Sequence, residues 1–329
     1  MTIFWIMVFA LTLTLMIKGA DWFLDSAEKI GLSLGLSPFV IGVTIVGLGT
    51  SFPELFTAIM AVMRGADEIV AANAIGSNIS NILLIIGFSA VVGRKLMVTK
   101  SLIDLDLPML ASGTILLLGV AWDKEITRAE AILLVASYLI YFLYTIFHQE
   151  ERETDKESLS KKDIKTEINI KEKKAKNRKI IVTKTDYVLL IVGVLCLVLG
   201  AKYMIDSVIR LSEIFDISPA LISITAVAIG TSLPELIVSL KAARSGKSEV
   251  AVGNIFGSNA FNALMVIGIP GIFHNLPIDP QTFYIGLPTM AVVTLLFVIS
   301  GISRRIYAWE GAMYLALYVL FLGKIIGFL

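Results

Sequence analysis

Along most of the chain apolar residues run on continuously for about 20 positions, without the every-other-residue alternation of a half-buried strand. Ten such runs can be drawn, at roughly 2–24, 39–63, 69–92, 102–121, 127–147, 186–210, 219–243, 250–273, 281–301 and 306–328. Each is long enough for a helix to cross about 30 Å of hydrocarbon. The pattern predicts an all-α polytopic membrane protein with ten transmembrane helices. Between the fifth and sixth runs the character reverses, with 12 Lys/Arg and 8 Asp/Glu crowded into residues 149–184. That segment reads as a flexible charged tether, too short and too polar to form a core of its own.

Composition sharpens this reading. The 329 residues are 56% hydrophobic and only 17% charged, with a mean hydropathy of +0.83, which excludes a water-soluble enzyme. The single cysteine, Cys196, allows no disulfide framework and no thiolate metal cluster. The two histidines, His148 and His274, are too far apart in sequence for a zinc motif. A net charge of +1 is no nucleic-acid footprint. No cofactor and no protein partner is expected; the bilayer is. The first run lacks a basic residue before Lys18 and a small-residue cleavage site, so it reads as a retained helix. With both termini outside, 22 of the 28 Lys/Arg fall on the cytoplasmic side, together with the 149–184 loop. The positive-inside bias favours that orientation.

The chain also repeats itself. Shifted by 181 residues without gaps, 38–87 overlies 219–268 with 21 identities in 50. GTSFPEL at 49–55 matches GTSLPEL at 230–236, and NAIGSNISN at 73–81 matches NIFGSNAFN at 254–262. Five spans, an odd number, separate each matched pair, so the second copy enters the membrane from the opposite face. Two inverted-topology repeats of five helices are therefore expected: 1–148 and 185–329, joined by the charged loop. Transporters of that design bind substrate near the midplane, between the copies. A repeat that served packing alone would favour Gly and Ala over Glu, Asn and Thr.

Glu54 and Glu235 lie well inside apolar runs, where a carboxylate costs at least about 2.5–3.5 kcal/mol and is retained for a partner or a pathway. No Lys or Arg precedes the basic residues at the ends of those runs, so the natural partner is a cation that comes and goes. Pro53 and Pro234 are expected to kink their spans and free carbonyl oxygens around 46–50 and 227–231. Asn73, Ser77 and Asn81 share one helix face by i, i+4 spacing, as do Asn254, Ser258 and Asn262. Thr50 pairs in the same way with Glu54, and Thr231 with Glu235. Calcium takes six to eight hard oxygens of these kinds. Asn81 and Asn262 are assigned to the ion site, while Asn73 and Asn254 suit inter-helix hydrogen bonding equally well. Asp25 and Asp206 match across the repeat near span ends and are expected to cap helices or sit among headgroups. Asp104 and Asp106 are expected at the mouth of span 4, and Arg304 and Arg305 at the cytoplasmic end of span 9.

At these residues the sequence resembles the sodium/calcium exchanger branch of the calcium/cation antiporters. G-T-S-x-P-E and G-S-N-x-x-N stand at 49–54, 76–81, 230–235 and 257–262. The resemblance implies that Glu54 and Glu235 ligate calcium, with backbone carbonyls of Thr50 and Thr231. It implies flanking sodium sites formed by Ser77 and Ser258 with the carbonyls of Gly47 and Ala228. Asn81 and Asn262 would complete the centre, and Ser51 and Ser232 of the same motifs join the candidate set. Spans 1 and 6 would slide past a fixed core. Potassium-dependent relatives carry Asp where this chain has Asn262, and proton-coupled relatives carry G-N-x-x-E in place of G-T-S-x-P-E. Sodium coupling is therefore expected, with proton- or potassium-coupled exchange as the alternative. An intramembrane hydrolase is disfavoured because the set contains no nucleophile–base pair.

The charge bias predicts that, in a Cys196→Ala background, Ser160→Cys is labelled by a membrane-impermeant maleimide in inside-out vesicles and spared in right-side-out ones. The reverse pattern would invert the orientation.

Overall fold

The computed structural model describes residues 2–34, 49–98, 106–160 and 182–328. In chain order the first half gives α1 (Thr2–Ser33), α2 (Phe52–Met63), α3 (Glu68–Gly93), β1 (Lys95–Met97), α4 (Leu107–Val120), β2 (Glu125–Ile126) and α5 (Arg128–Ser160). The second gives α6 (Lys184–Phe215), α7 (Pro219–Thr231), α8 (Leu233–Arg244), α9 (Ser248–Gly271), β3 (Leu276–Pro277), α10 (Thr282–Ile302), β4 (Arg305–Tyr307) and α11 (Ala308–Ile326). Each of the ten apolar runs carries helix over its described residues. Among the described residues six helices (α1, α3, α6, α9, α10 and α11) are long and apolar enough to cross a membrane. The pair α7–α8, bent by 42°, makes a seventh when taken as one span. Gly47, Asp104 and residues 38–48 of the matched 38–87 stretch lie outside the described residues.

The helices sort by burial. At the centre, α3 and α9 are mostly buried, and they carry the two asparagine motifs. At the outside, α1 and α6 are mostly exposed, and each has 32 residues, about 48 Å of helix against about 30 Å of hydrocarbon. They lie along one another through a close crossing at Gly193, where an added Cβ would stand 2.7 Å from the Gly19 carbonyl oxygen. A second close approach joins the two halves. A Cβ on Gly76 of α3 would stand 2.8 Å from both Ala228 Cβ and Ile224 Cα of α7, so α3 packs directly on the α7 backbone.

The structure departs from the sequence reading in four places. First, α5 continues through 149–160, so the expected start of the tether is helical. That stretch is rich in Glu, Lys and Arg and lacks Gly and Pro, which favours helix whether or not it is apolar. Second, Asp25 and Asp206 do not cap helices, because α1 and α6 run on to Ser33 and Phe215. Asp206 instead accepts a hydrogen bond from Arg64 at 2.9 Å, which ties α6 to the end of α2. The cap on α6 is a box formed by Thr183 and Asp186, and Lys29 Nζ reaches Asp186 at 2.9 Å.

Third, the expected bend appears in the second half as the 42° between α7 and α8, and the span before Gly49 lies outside the described residues, but Pro53 and Pro234 stand after a break rather than within a helix. They sit in the first turns of α2 and α8, where a missing N–H costs nothing. The chain breaks at the preceding Ser51 (φ −90°, ψ 8°) and Ser232 (φ −82°, ψ 6°), in the sparsely populated bridge region. Fourth, among the described residues four short strands stand beside the helices. β1 pairs with β4 and β2 with β3, both antiparallel. Leu96 faces Ile306 and Ile126 faces Leu276, and all four are fully buried. Each ladder joins one half of the chain to the other and satisfies loop backbone that leaves the helices. Strands of two or three residues leave no periodicity to read.

The approach at Gly76 predicts that Gly76→Val lowers the thermal midpoint of the detergent-solubilised protein, at an overpacking cost of about 1–3 kcal/mol. Gly119→Ala, where nothing stands within 4 Å, should leave it unchanged. Equal midpoints for the two variants would contradict this packing.

Candidate cation site

Glu54 and Glu235 are both fully buried, and each occupies the third position of a newly started helix, α2 and α8 respectively. The break at the preceding serine thus turns the positive end of a helix dipole toward each carboxylate. Ser51 and Ser232 hold the N-cap positions of these helices, yet neither hydroxyl caps its own helix. Ser51 Oγ donates across to Glu235 Oε1 at 3.1 Å, and Ser232 Oγ donates across to Glu54 Oε1 at 3.3 Å. The motif of each half therefore serves the carboxylate of the other. Ser258 adds a second donor to Glu235 Oε1 at 3.3 Å, whereas the matching Ser77 hydroxyl has no hydrogen-bond partner.

The helices bearing the asparagines supply the walls. α3 changes to π winding over Asn81–Ile86, and α9 does the same over Asn262–Val266. The two insertions begin at the two repeat-equivalent asparagines. Such insertions widen a helix locally and recur at functional sites. α8 packs against the Asn81–Ile86 turn and α2 against the Asn262–Val266 turn, so here too each glutamate helix borders the other half.

Of the candidate ligands, Glu54, Glu235, Thr50, Thr231, Ser51, Ser232, Ser77, Ser258, Asn81, Asn262 and Ala228 are all buried. Thr231 Oγ1 donates to the Val227 carbonyl at 3.1 Å, and the Ala228 carbonyl accepts the Ser232 N–H at 3.3 Å. That leaves Ala228 one free lone pair rather than an open carbonyl. Asn254 takes the inter-helix role, with Nδ2 donating to Ser239 Oγ at 3.1 Å and to the Glu235 carbonyl at 3.4 Å. Its counterpart Asn73 makes no such bond, and position 58 in the first half is Ala where the second half has Ser239. Asn78 and Asn259 were passed over by the i, i+4 reading, although both copies of the repeated G-S-N motif carry them. They are buried and bonded to each other.

Several buried polar atoms have no hydrogen-bond partner: Glu54 Oε2, Glu235 Oε2, Ser77 Oγ, Asn81 Oδ1 and both side-chain polar atoms of Asn262. A buried polar atom left unpaired costs about 1–3 kcal/mol, and more when it is charged. A hard cation would engage these oxygens together, and two carboxylates balance one divalent or two monovalent ions. Among the described residues no group of three or more His, Cys, Asp or Glu gathers as a metal site. The buried polar atoms of these two repeats are two acids and otherwise neutral side chains.

The sodium/calcium exchanger protein family model matches residues 4–147 and 185–327. The chain belongs to this family. It is 33% identical to the sodium/calcium exchanger MaX1 of Methanosarcina acetivorans, over 96% of this chain and 97% of that one. It is 31% identical to the putative antiporter CaxA of Alkalimonas amylolytica, over 93% and 94%. Its fold matches that of the sodium-calcium exchanger NCX_Mj, in a crystal soaked with sodium and strontium, with a TM-score of 0.65 and 30% identity. That match covers 97% of this chain and 98% of the other. As a member of the family, this chain is a multi-pass membrane protein and a cation/calcium antiporter.

The crossed serine bonds predict that Ser51→Ala and Ser232→Ala weaken calcium binding by similar factors. A hydrogen bond to a charged group is worth about 1.5–3 kcal/mol, so roughly tenfold or more is expected from either change. Calcium titrations of the two variants check it, and an effect confined to one of them would contradict the crossed arrangement.

Proposed function

We propose that the protein exchanges sodium for calcium by alternating access, with the ions bound around Glu54 and Glu235 between two inverted-topology repeats of five spans. The observation that carries this reading is the crossed pair: two buried carboxylates from repeat-equivalent positions, each held by the serine of the other repeat. Thr50, Thr231, Asn81 and Asn262 complete a central calcium site, and Ser77, Ser258, Gly47 and Ala228 serve flanking sodium sites. Because the same two carboxylates neutralise one calcium or two sodium ions, the two species compete, which is the elementary condition for exchange.

Sodium coupling is supported by the charge count. Asn262 is neutral, so the site holds two acids rather than the three expected of a potassium-dependent relative. The access change is assigned to α1 and α6, which pack closely on each other and are largely exposed. Both termini lie outside and 149–184 lies in the cytoplasm, in keeping with the charge bias of the loops.

Radiolabelled calcium uptake into sodium-loaded proteoliposomes, diluted into choline, potassium or sodium buffer at fixed pH, tests the coupling. Uptake is expected to require the outward sodium gradient and to ignore potassium and a protonophore. Uptake without sodium that follows a proton gradient would transfer the protein to proton coupling, and a potassium requirement would transfer it to the potassium-dependent type. Glu54→Gln or Glu235→Gln should abolish uptake with folding intact, and near-normal flux in either would overturn the site.

A further inference from the structure

Asn78 and Asn259 lie outside the ligand set, yet they make the densest polar contacts at the centre of the molecule. Asn78 Nδ2 donates to the main-chain carbonyl of Asn259 at 3.1 Å, and Asn259 Nδ2 donates to the main-chain carbonyl of Asn78 at 3.2 Å. The residues are 181 apart, which is the repeat offset, so the same bond is made twice across the two halves. A third amide joins them, with Asn81 Nδ2 donating to Asn259 Oδ1 at 2.8 Å. Asn78 is 1% exposed and Asn259 is fully buried, so water cannot replace any of these bonds.

A bond from a side chain of one helix to the main chain of another fixes axial register. A slip of one residue moves a helix about 1.5 Å, enough to break it. Two reciprocal bonds of this kind fix both the translation and the rotation of α3 against α9. Ser77 and Asn81 lie within one turn of Asn78, and Ser258 and Asn262 within one turn of Asn259. The register of the clamp is therefore the spacing of the oxygens on either side of the two glutamates.

The clamp is not symmetric. The counterpart of the Asn81–Asn259 bond would run from Asn262 Nδ2 to Asn78 Oδ1, and both of those atoms are unpaired. Asn259 thus commits the amide nitrogen of Asn81 and leaves only its oxygen free. Asn262 keeps both groups.

We propose that Asn78 and Asn259 are positioning residues for ion exchange: a reciprocal amide clamp that sets α3 and α9 in one register and, through Asn259, orients the Asn81 oxygen. Asn259 offers the ion no amide oxygen, since its Oδ1 accepts from Asn81 Nδ2, and Asn78 acts through the bond its Nδ2 makes to the Asn259 carbonyl. The inference rests on the cation-site reading above.

The test compares Asn78→Ala, Asn259→Ala, the double variant and Glu54→Gln in the full chain. The readouts are the KM for calcium, the half-saturating sodium concentration and Vmax in proteoliposomes, and the thermal midpoint without ions in detergent. Each single alanine variant should raise the calcium KM at least tenfold, with Vmax within about threefold, and Asn259→Ala should be the worse because it also releases Asn81. The double variant should be little worse than Asn259→Ala, because one lost arm already frees the register. A lowered midpoint with unchanged KM, or failure to recover either single variant folded, assigns the pair to packing and overturns the proposal. If only Asn78→Ala folds, its KM decides. Transport that survives Glu54→Gln removes the site itself. Transport lost in Glu54→Gln beside unchanged KM in the asparagine variants removes the clamp alone.

Discussion

Two carboxylates held out of water in an apolar surround set the terms for the rest of this molecule. Glu54 and Glu235 have no Lys or Arg within reach among the described residues, so their charge has to be met by dipoles and by the transported ion. The fold supplies the dipoles in two ways. Breaking each span at a serine starts a new helix directly before the acid, and exchanging the two serine hydroxyls gives each acid a donor from the opposite half. These donors each engage one carboxylate oxygen. They leave one oxygen on each acid free, and a cation can take that place.

That arrangement explains why the two halves cannot be considered separately. The glutamate helix of each half packs on the π turn of the other, the asparagines bond across the same boundary, and the short strand ladders pair first half with second at both positions. Each half supplies part of the other's site, so neither is complete alone. α1 and α6 stand apart from this exchange. They are long, largely exposed and packed closely along one another.

The near-symmetry is broken in small, specific places. Ser258 bonds a glutamate where Ser77 does not, Asn81 is bonded where Asn262 is not, and Asn254 has a serine partner where the first half has an alanine. A site that must open alternately to two sides has no need of identical halves. It needs halves close enough in energy that the ion gradients decide between them.

Much of this was written in the sequence. Continuous apolar runs announce helices because hydrocarbon leaves the backbone no partner but itself. A glutamate inside such a run, found twice at a fixed offset, announces a charged site, since nothing else repays its cost. What the sequence did not carry were features decided by contact between distant segments. That Pro53 and Pro234 follow a break at a serine whose hydroxyl bonds a glutamate of the other half leaves no mark in local pattern. Asn78 and Asn259 fall outside the i, i+4 faces because helix periodicity describes one helix at a time, while their bonds run between two. Asp206 looked like a cap until its helix proved longer than its apolar stretch and Arg64 came within reach. Local pattern and the membrane determined the helices and where buried polar groups would fall; which of those residues touch was decided only by tertiary structure, because a hydrogen bond between chain segments has no period along the sequence.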